Sequence, residues 1–574
     1  MPDVAESARR EIDDERADLL EALRRLNSRR NSLVPVAQLA PELLTQIFML
    51  NTLFDYPPQN TAFRVAPTLK NCSHVCQYWR RVVLACPALW SRSLNLHMET
   101  PEWTSEILKR SNPMPLDIHA DSAIGAASSI YDNVDLALDH VPRLRVLNLW
   151  APVFVMSRLV KKLNKAAPSL EELSLHNSTD ANIFDVPASL FASHTSRLRR
   201  LELLNCNLRW DSPMLRGLTH LQLSGMSPCA RPTFATLLST LSQMSMLETL
   251  SLSHILPLSD VLETSFPKIH LPMLAQLRLE DGIIGCTTVL DHLIFPPTII
   301  LHLNCWASRP RSDYSAILTL IHTKFCANLL ERVHIRCTSQ EISVEGWTTS
   351  DDDFDFDDCF ARHVFISFHW GWDITDNDID RIPELMCATF STLSFTRLRR
   401  LGILVDHSQI AVQDSTWDNL FSHASTVQHL RIRDPFTGPF FPLVRGQHQH
   451  QHPHAKAATP ERLSLPSLRY LLIEDADFAH FASRESKCGL LLKWLDHRKR
   501  MNAPIEVVQI RSCGHIGPEV VEQLRSAVPI VKWDGVDREA FFFDDGLGFM
   551  PRHETGLEDA MIISRFEGTF FPLN

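Results

Sequence analysis

The chain has 574 residues, 45% hydrophobic and 21% charged, with a formal net charge of −11. That composition is globular, the length exceeds one ordinary compact core, and the acidic balance argues against a general nucleic-acid binder, which needs a basic face. No stretch reaches the roughly 18 consecutive apolar residues of a membrane span. No apolar leader segment opens the chain, and 13 cysteines without paired spacing point to reduced thiols in the cytoplasm or nucleus.

Residues 1–32 read as a charged helix. Ile12, Leu19, Leu23 and Leu26 recur at helical spacing among Glu, Asp and Arg. The stripe suits either a short coiled coil or a helix packed on its own protein.

Residues 33–98 read as a small helical module. In Leu39-Ala40-Pro41-Glu42-Leu43-Leu44-Thr45-Gln46-Ile47-Phe48, Pro41 sits where a helix begins and needs no N–H donor. A second helix is expected through Leu69, Cys72, Val75, Cys76, Trp79, Val82 and Val83, stopped by Pro87 and followed by Leu89-Trp90. About 50 residues are near the lower limit for a self-sufficient core, so either a partner surface or a capping role on the next elements is implied.

Residues 99–533 carry a recurring Leu-x-x-Leu-x-Leu pattern after an irregular first helix and strand over Ser105–Ile118. Clear copies are Leu144/Leu147/Leu149, Leu170/Leu173/Leu175, Leu198/Leu201/Leu203, Leu218/Leu221/Leu223, Leu247/Leu250/Leu252 and Leu274/Leu277/Leu279. Looser copies follow at Leu330/Val333/Ile335, Leu398/Leu401/Ile403, Val427/Leu430/Ile432, Leu468/Leu471/Ile473 and Ile505/Val508/Ile510, with degenerate strands at Leu301–Leu303 and Val364–Ile366. The alternation predicts short parallel strands whose leucines can be buried only by stacking on their neighbours. The early spacing is that of leucine-rich repeats, and Cys206 and Cys513 stand where such repeats turn out of the strand. The fold expected is therefore α/β, a leucine-rich-repeat solenoid with a curved parallel sheet and outer helices, preceded by the all-α module. Residues 534–574, with Gly546, Gly548, Pro551 and Pro572, are expected to cap or drape over the last repeat.

The N-terminal module resembles an F-box, whose pattern is Leu-Pro-x-Glu-Leu-Leu-x-x-Ile-Phe, then Val-Cys-x-x-Trp-Arg, then Leu-Trp. The matching parts are Leu39–Phe48, Val75-Cys76-Gln77-Tyr78-Trp79-Arg80 and Leu89-Trp90. Ala40 replaces the first Pro, and Asp55–Pro67 looks like an insertion. With repeats behind it, the chain resembles fungal-type F-box/leucine-rich-repeat proteins. That resemblance implies a non-catalytic substrate-recognition subunit of an SCF-type cullin-RING ubiquitin ligase. The box would dock on a Skp-type adaptor, and through it a cullin, by Leu39, Pro41, Leu44, Ile47, Val75 and Trp79. The repeats would hold an unidentified protein substrate. The rival reading is a repeat scaffold whose helical module only caps the array.

On the strand positions between the leucines, early copies present Asn148, Ser174, Gln222 and Ser251, which are neutral. Later copies present Arg278, His334, Arg336, Arg431, Arg433 and Arg511. Of these, His334, Arg336, Arg431, Arg433 and Arg511 are the candidate substrate-binding residues, suited to an acidic or phosphorylated segment. The competing reading pairs these arginines with Glu280, Glu331, Glu474 and Glu506 on neighbouring strands.

No cofactor or metal is expected. A calcium loop counted from Asp351 would need Gly and Glu where Phe356 and Arg362 stand, and the run from Asp376 to Asp380 fails in the same way at Arg381 and Cys387. Both read as solvated loops, and the His448, His450, His452 and His454 tract as an inserted loop. Nucleophile-elbow, phosphate-loop, dinucleotide and zinc-protease motifs are missing from the sequence.

Overall fold

The computed structural model describes residues 2–52, 67–97, 100–121, 128–179, 182–258, 265–307, 314–325, 330–338, 340–348, 362–370, 382–392, 397–405, 417, 420–433, 463–476, 478 and 487–536. The expected insertion Asp55–Pro67 except Pro67, both Asp-rich runs, the His tract and the expected tail 534–574 except 534–536 lie outside them. The chain divides into two compact units, with described residues 2–218 and 219–536. The division falls inside the stretch that reads as one repeat array.

The first unit opens with helices α1 (Pro2–Ser32), α2 (Pro41–Asn51), α3 (Pro67–Val75), α4 (Gln77–Leu84), α5 (Pro87–Arg92) and α6 (Pro101–Arg110). Strand β1 (Leu116–Asp121), α7 (Ser128–Ala137), β2 (Leu144–Ala151), α8 (Val153–Leu159), β3 (Glu172–Asn177) and β5 (Arg200–Leu204) follow, with a two-residue pair β4 (Phe184–Asp185) and β6 (Cys206–Asn207). Strands β1, β2, β3 and β5 are parallel neighbours in that order.

The second unit alternates in the same way. Its strands are β7 (His220–Ser224), β8 (Thr249–Ser253), β9 (Ile269–His270), β10 (Gln276–Gly282), β11 (Leu293–Ile294), β12 (Ile300–Ala307), β13 (Arg332–Cys337), β14 (Glu341–Trp347) and β15 (Val364–Trp370). They continue as β16 (Arg400–Val405), β17 (His429–Arg433), β18 (Tyr470–Glu474), β19 (Val507–Arg511) and β20 (Ile530–Trp533). Helices at Phe234–Leu241, Ile283–His292, Ser315–Lys324, Ile382–Thr392, Lys487–Arg500 and Pro518–Ala527 lie between them in sequence. Twelve of these strands form one mostly parallel arrangement, and β9 and β11 pair separately. The class is α/β.

The register explains why the leucines recur. Leu147 aligns with Leu173 and Leu173 with Leu201 in the first unit. In the second, Leu221, Leu250, Leu277 and Leu301 align in turn, and so do Leu401, Leu430, Leu471 and Val508. All of these side chains are at most 1% exposed. Each buried leucine is worth about 1.5–3 kcal/mol relative to exposure, and a lone strand could not collect it.

The strand exits also repeat. Cys206 and Cys513 are buried, each preceded by a left-handed residue, Asn205 at φ 52° and Ser512 at φ 54°. Cys206 Sγ donates to the carbonyls of Leu204 at 3.2 Å and Leu175 at 3.5 Å. Cys513 Sγ donates to Arg511 at 3.3 Å and Ile473 at 3.7 Å. Each thiol thus ties its turn to the preceding strand, and burial pushes both up to about 12. Since the thiolate is the reactive form, brief maleimide treatment of native protein at pH 7.5 should label exposed Cys229 and spare both. Peptide mass spectrometry should find Cys206 and Cys513 modified only after denaturation.

Two expectations are corrected. The sheet is not wholly parallel: β12 is followed by β15, β14, β13 and then β16, with β14 antiparallel to both neighbours. Between Cys337 and Glu341 the chain reverses through Thr338, whose N–H donates to the Glu341 carbonyl at 2.9 Å and whose hydroxyl accepts from the Glu341 N–H at 3.0 Å. A parallel connection needs a crossover of about a dozen residues or more. Gly346 permits the packing, since a Cβ there would lie 2.6 Å from Val364 Cγ1 and 2.8 Å from Leu330 Cδ1.

The helix expected over Leu69–Val83 is two helices. Cys76 is extended at φ −159° and ψ 168°, and its sulfur accepts the Trp79 N–H, so it caps α4 instead of continuing α3. For the charged helix α1 the sequence left a coiled coil and packing on its own protein both open, and among the described residues no such packing is seen. Its side chains are exposed from Glu6 through Arg30, with Ile12 at 63% and Leu19 at 66%.

Candidate functional site

The helical module is built round a closed core that Ile107 of α6 also enters. Leu44, Phe48, Leu69, Val83, Leu89 and Trp90 fill it, each at most 4% exposed. The Tyr78 hydroxyl donates to the Leu39 carbonyl at 2.7 Å and holds the turn that enters α2. The Trp90 indole donates to the Val83 carbonyl at 3.0 Å. Helix α5 packs against β1, so the module also seats on the first strand of its unit.

The six residues singled out by sequence divide accordingly. Leu44, fully buried, belongs to the core and presents nothing outward. Leu39 and Trp79 are half-buried, Trp79 with its ring 4.9 Å from that of Phe48. Pro41, Ile47 and Val75 are exposed. Two residues not singled out, Leu43 and Leu50, continue Ile47 at helical spacing. The exposed apolar stripe of α2 is thus Leu43 at 48%, Ile47 at 40% and Leu50 at 61%. The spacing i, i+4, i+7 was legible in the sequence, but its facing outward was not.

In the second unit, the positions between the leucines share the opposite face of the strands. Register puts Ser251, Arg278, His302, Phe365, Glu345, His334, Gly402, Arg431, Leu472 and Gln509 in one row across β8 to β19. Gly402 is necessary there, because a Cβ would meet His334 Cδ2 at 2.7 Å. Trp306 stacks on His369 with ring centroids 5.9 Å apart, and Arg332 lies over the Trp347 ring at 4.8 Å. This aromatic and histidine stretch at the middle of the face was not singled out from the sequence.

The five candidate substrate-binding residues all lie on this face, but they do not form a free basic surface. Arg431 Nε donates to Glu474 Oε2 at 2.7 Å, with both side chains 9% exposed. Arg511 approaches the other oxygen of Glu474 at 3.6 Å, and Arg433 bonds Asp475 at 2.7 Å. Elsewhere Arg278 pairs with Glu280, Arg397 with Glu331 and Arg469 with Glu506. The cross-strand reading therefore describes Arg431, Arg433 and Arg511, whereas Arg278 and Glu280 share one strand. His334 is buried, and burial together with Arg332, Arg431, Arg336 and Arg362 drives its pKa well below the ordinary value. Arg336 is exposed and makes no ion pair among the described residues.

Two histidines of this face, buried His334 and half-buried His302, imply a pH dependence of definite sign. Burial brings His302 down to about 4, and His334 is also lowered. The folded state then binds fewer protons than the unfolded chain between the usual histidine range and those depressed values. Stability from both is present above about pH 6.5 and is lost as pH falls below it, for His302 down to about 4. Glu345 works against this: burial raises its carboxyl pKa, so its contribution is present at acid pH and is lost as pH rises through the raised value. Each group gives at most about 1.4 kcal/mol per pH unit. The urea midpoint of the second unit should fall between pH 7.5 and pH 5.5, and His302→Asn should flatten that slope.

Among the described residues no group of three or more His, Cys, Asp or Glu is arranged to hold a metal ion, and no helix is long and apolar enough to cross a membrane. No family model and no curated protein matches the chain.

Proposed function

We propose that this protein is a non-catalytic substrate-recognition subunit of an SCF-type ubiquitin ligase. In this reading the N-terminal helices are an F-box docking on a Skp-type adaptor, and through it a cullin. The strands and helices behind them are a leucine-rich-repeat solenoid holding a protein substrate, in the cytoplasm or nucleus. The observation that carries the reading is the apolar stripe Leu43, Ile47 and Leu50, exposed on a module whose core is already closed. A helix laid into a partner's groove uses such a stripe.

The seating of α5 on β1 favours the second reading, a scaffold whose helical module caps the array. The two roles use different faces and are compatible. Co-purification of the full chain with a purified Skp-type adaptor tests the first directly. A folded chain that captures no adaptor leaves only the scaffold.

For the substrate, the strand-lined face is the proposed surface, with exposed Arg336, which makes no ion pair among the described residues, and the exposed part of Arg433 two strands away across Leu404. Arg336→Glu with Arg433→Glu should remove acidic or phosphorylated partners from the captured set while leaving adaptor binding intact. An unchanged set removes the charge argument.

A further inference from the structure

Helix α1 has 31 residues, about 46 Å at 1.5 Å per residue. Leu23 at 53% and Leu26 at 60% exposure join Ile12 and Leu19 in one bare apolar stripe. Ile12, Leu19 and Leu26 are seven residues apart, and Leu23 lies three before Leu26, the a and d spacing of a two-stranded coiled coil. A single helix in water gains nothing from such a stripe, and isolated helices are only marginally stable.

The charges are divided along the same helix. Residues 6–18 carry Glu6, Glu11, Asp13, Asp14, Glu15 and Asp18 against Arg9, Arg10 and Arg16. Residues 19–31 carry Arg24, Arg25, Arg29 and Arg30 against Glu21 alone. Some of this charge is paired within the helix, as in Arg10–Glu6 at 2.8 Å and Arg24–Glu21 at 3.4 Å. The net polarity remains: one acidic half and one basic half.

We propose that α1 is a self-association element that pairs antiparallel with α1 of a second copy of this chain. Antiparallel pairing sets each acidic half against the other copy's basic half, whereas parallel pairing stacks like on like. With Leu23 at a and Leu19 at d, the two leucines meet across the centre of the pair. The same register brings Glu15 opposite Arg29 of the second copy, both at flanking g positions where ion pairs choose orientation. The exposed stripe supplies the attraction and the charge division supplies the direction.

The test is the solution mass of the full chain as a function of concentration, by light scattering or sedimentation. The expected result is a shift from 65.4 kDa toward twice that mass as concentration rises. Leu19→Asp with Leu23→Asp should hold the protein at the monomer mass; the substituted side chains are solvent-exposed, so the rest of the fold is untouched. Reversing the basic half (Arg24, Arg25, Arg29 and Arg30 to Glu) should also give monomer. Adding the complementary reversal of Glu11, Asp14, Glu15 and Asp18 to Lys should restore the dimer. A parent that stays monomeric at every concentration assigns the stripe to some other partner and overturns the proposal. So does a dimer indifferent to Leu19→Asp with Leu23→Asp, or one indifferent to the charge reversals.

Discussion

Ile47→Asp is expected to weaken binding to a Skp-type adaptor by more than tenfold while the protein stays folded. Ile47 is 40% exposed on the outer side of α2, and the core on the inner side, Leu44 and Phe48, does not use it. An apolar interface anchor typically costs about 2–4 kcal/mol when truncated, and tenfold in affinity is about 1.4 kcal/mol. A buried carboxylate adds its desolvation. The measurement is titration calorimetry with purified adaptor, with circular dichroism to show an intact helix content. Leu50→Asp should act in the same direction because it extends the same stripe. Leu44→Asp makes the contrast: placed at a site with no exposure, the charge should unfold the module and not merely weaken docking. If Ile47→Asp binds as tightly as the parent, the module's only role is its seat on β1.

Glu474→Ala is expected to destabilise the second unit by about 3–5 kcal/mol, the usual loss when one member of a buried pair is removed. The change removes the carboxylate that Arg431 bonds at 2.7 Å, with both side chains 9% exposed, and that Arg511 approaches at 3.6 Å. Replacing both members, Arg431→Leu with Glu474→Leu, should recover most of the loss, since the cost lies in the stranded charge and not in the missing attraction. Glu506→Ala gives the scale for an exposed pair. Its partnership with Arg469 leaves the two side chains 65% and 56% exposed, and such pairs are worth about 0–1 kcal/mol. Thermal melting combined with proteolysis reads all three. Equal effects of Glu474→Ala and Glu506→Ala would mean that Arg431 finds water or another partner on losing Glu474.

The strand-bearing leucines, the Pro41 helix start and the exits at Cys206 and Cys513 were all legible in the sequence. Each is set by residues within about ten positions: alternation chooses the buried face, and in-phase recurrence requires neighbours to stack. The apolar stripes of α1 and α2 were legible as periodicities for the same reason. Whether each stripe faces a core or water depends on what else packs there, and only the tertiary structure decided it. Leu44 and Ile47, three residues apart in one motif, have opposite fates.

Charge was legible only in part. Pairing of the strand arginines with Glu474 was one of two readings left open by the sequence, and Arg431 and Glu474 do meet across adjacent strands, 43 residues apart. Arg498 sits in the run His497-Arg498-Lys499-Arg500 in the last turn of its helix. Yet it is fully buried, donating to the carbonyls of Ser464, Leu465 and Leu468, and burial lowers it to about 10. The reversed order of β13, β14 and β15 is of the same kind. Local sequence determined that β13 and β15 are strands and which side of each is apolar, because that depends on period-two alternation; β14 was not among the expected strands. The choice of neighbour, the direction of β14 and the pairing of every buried charge were decided by the tertiary structure, because those energies belong to contacts between segments far apart in the chain.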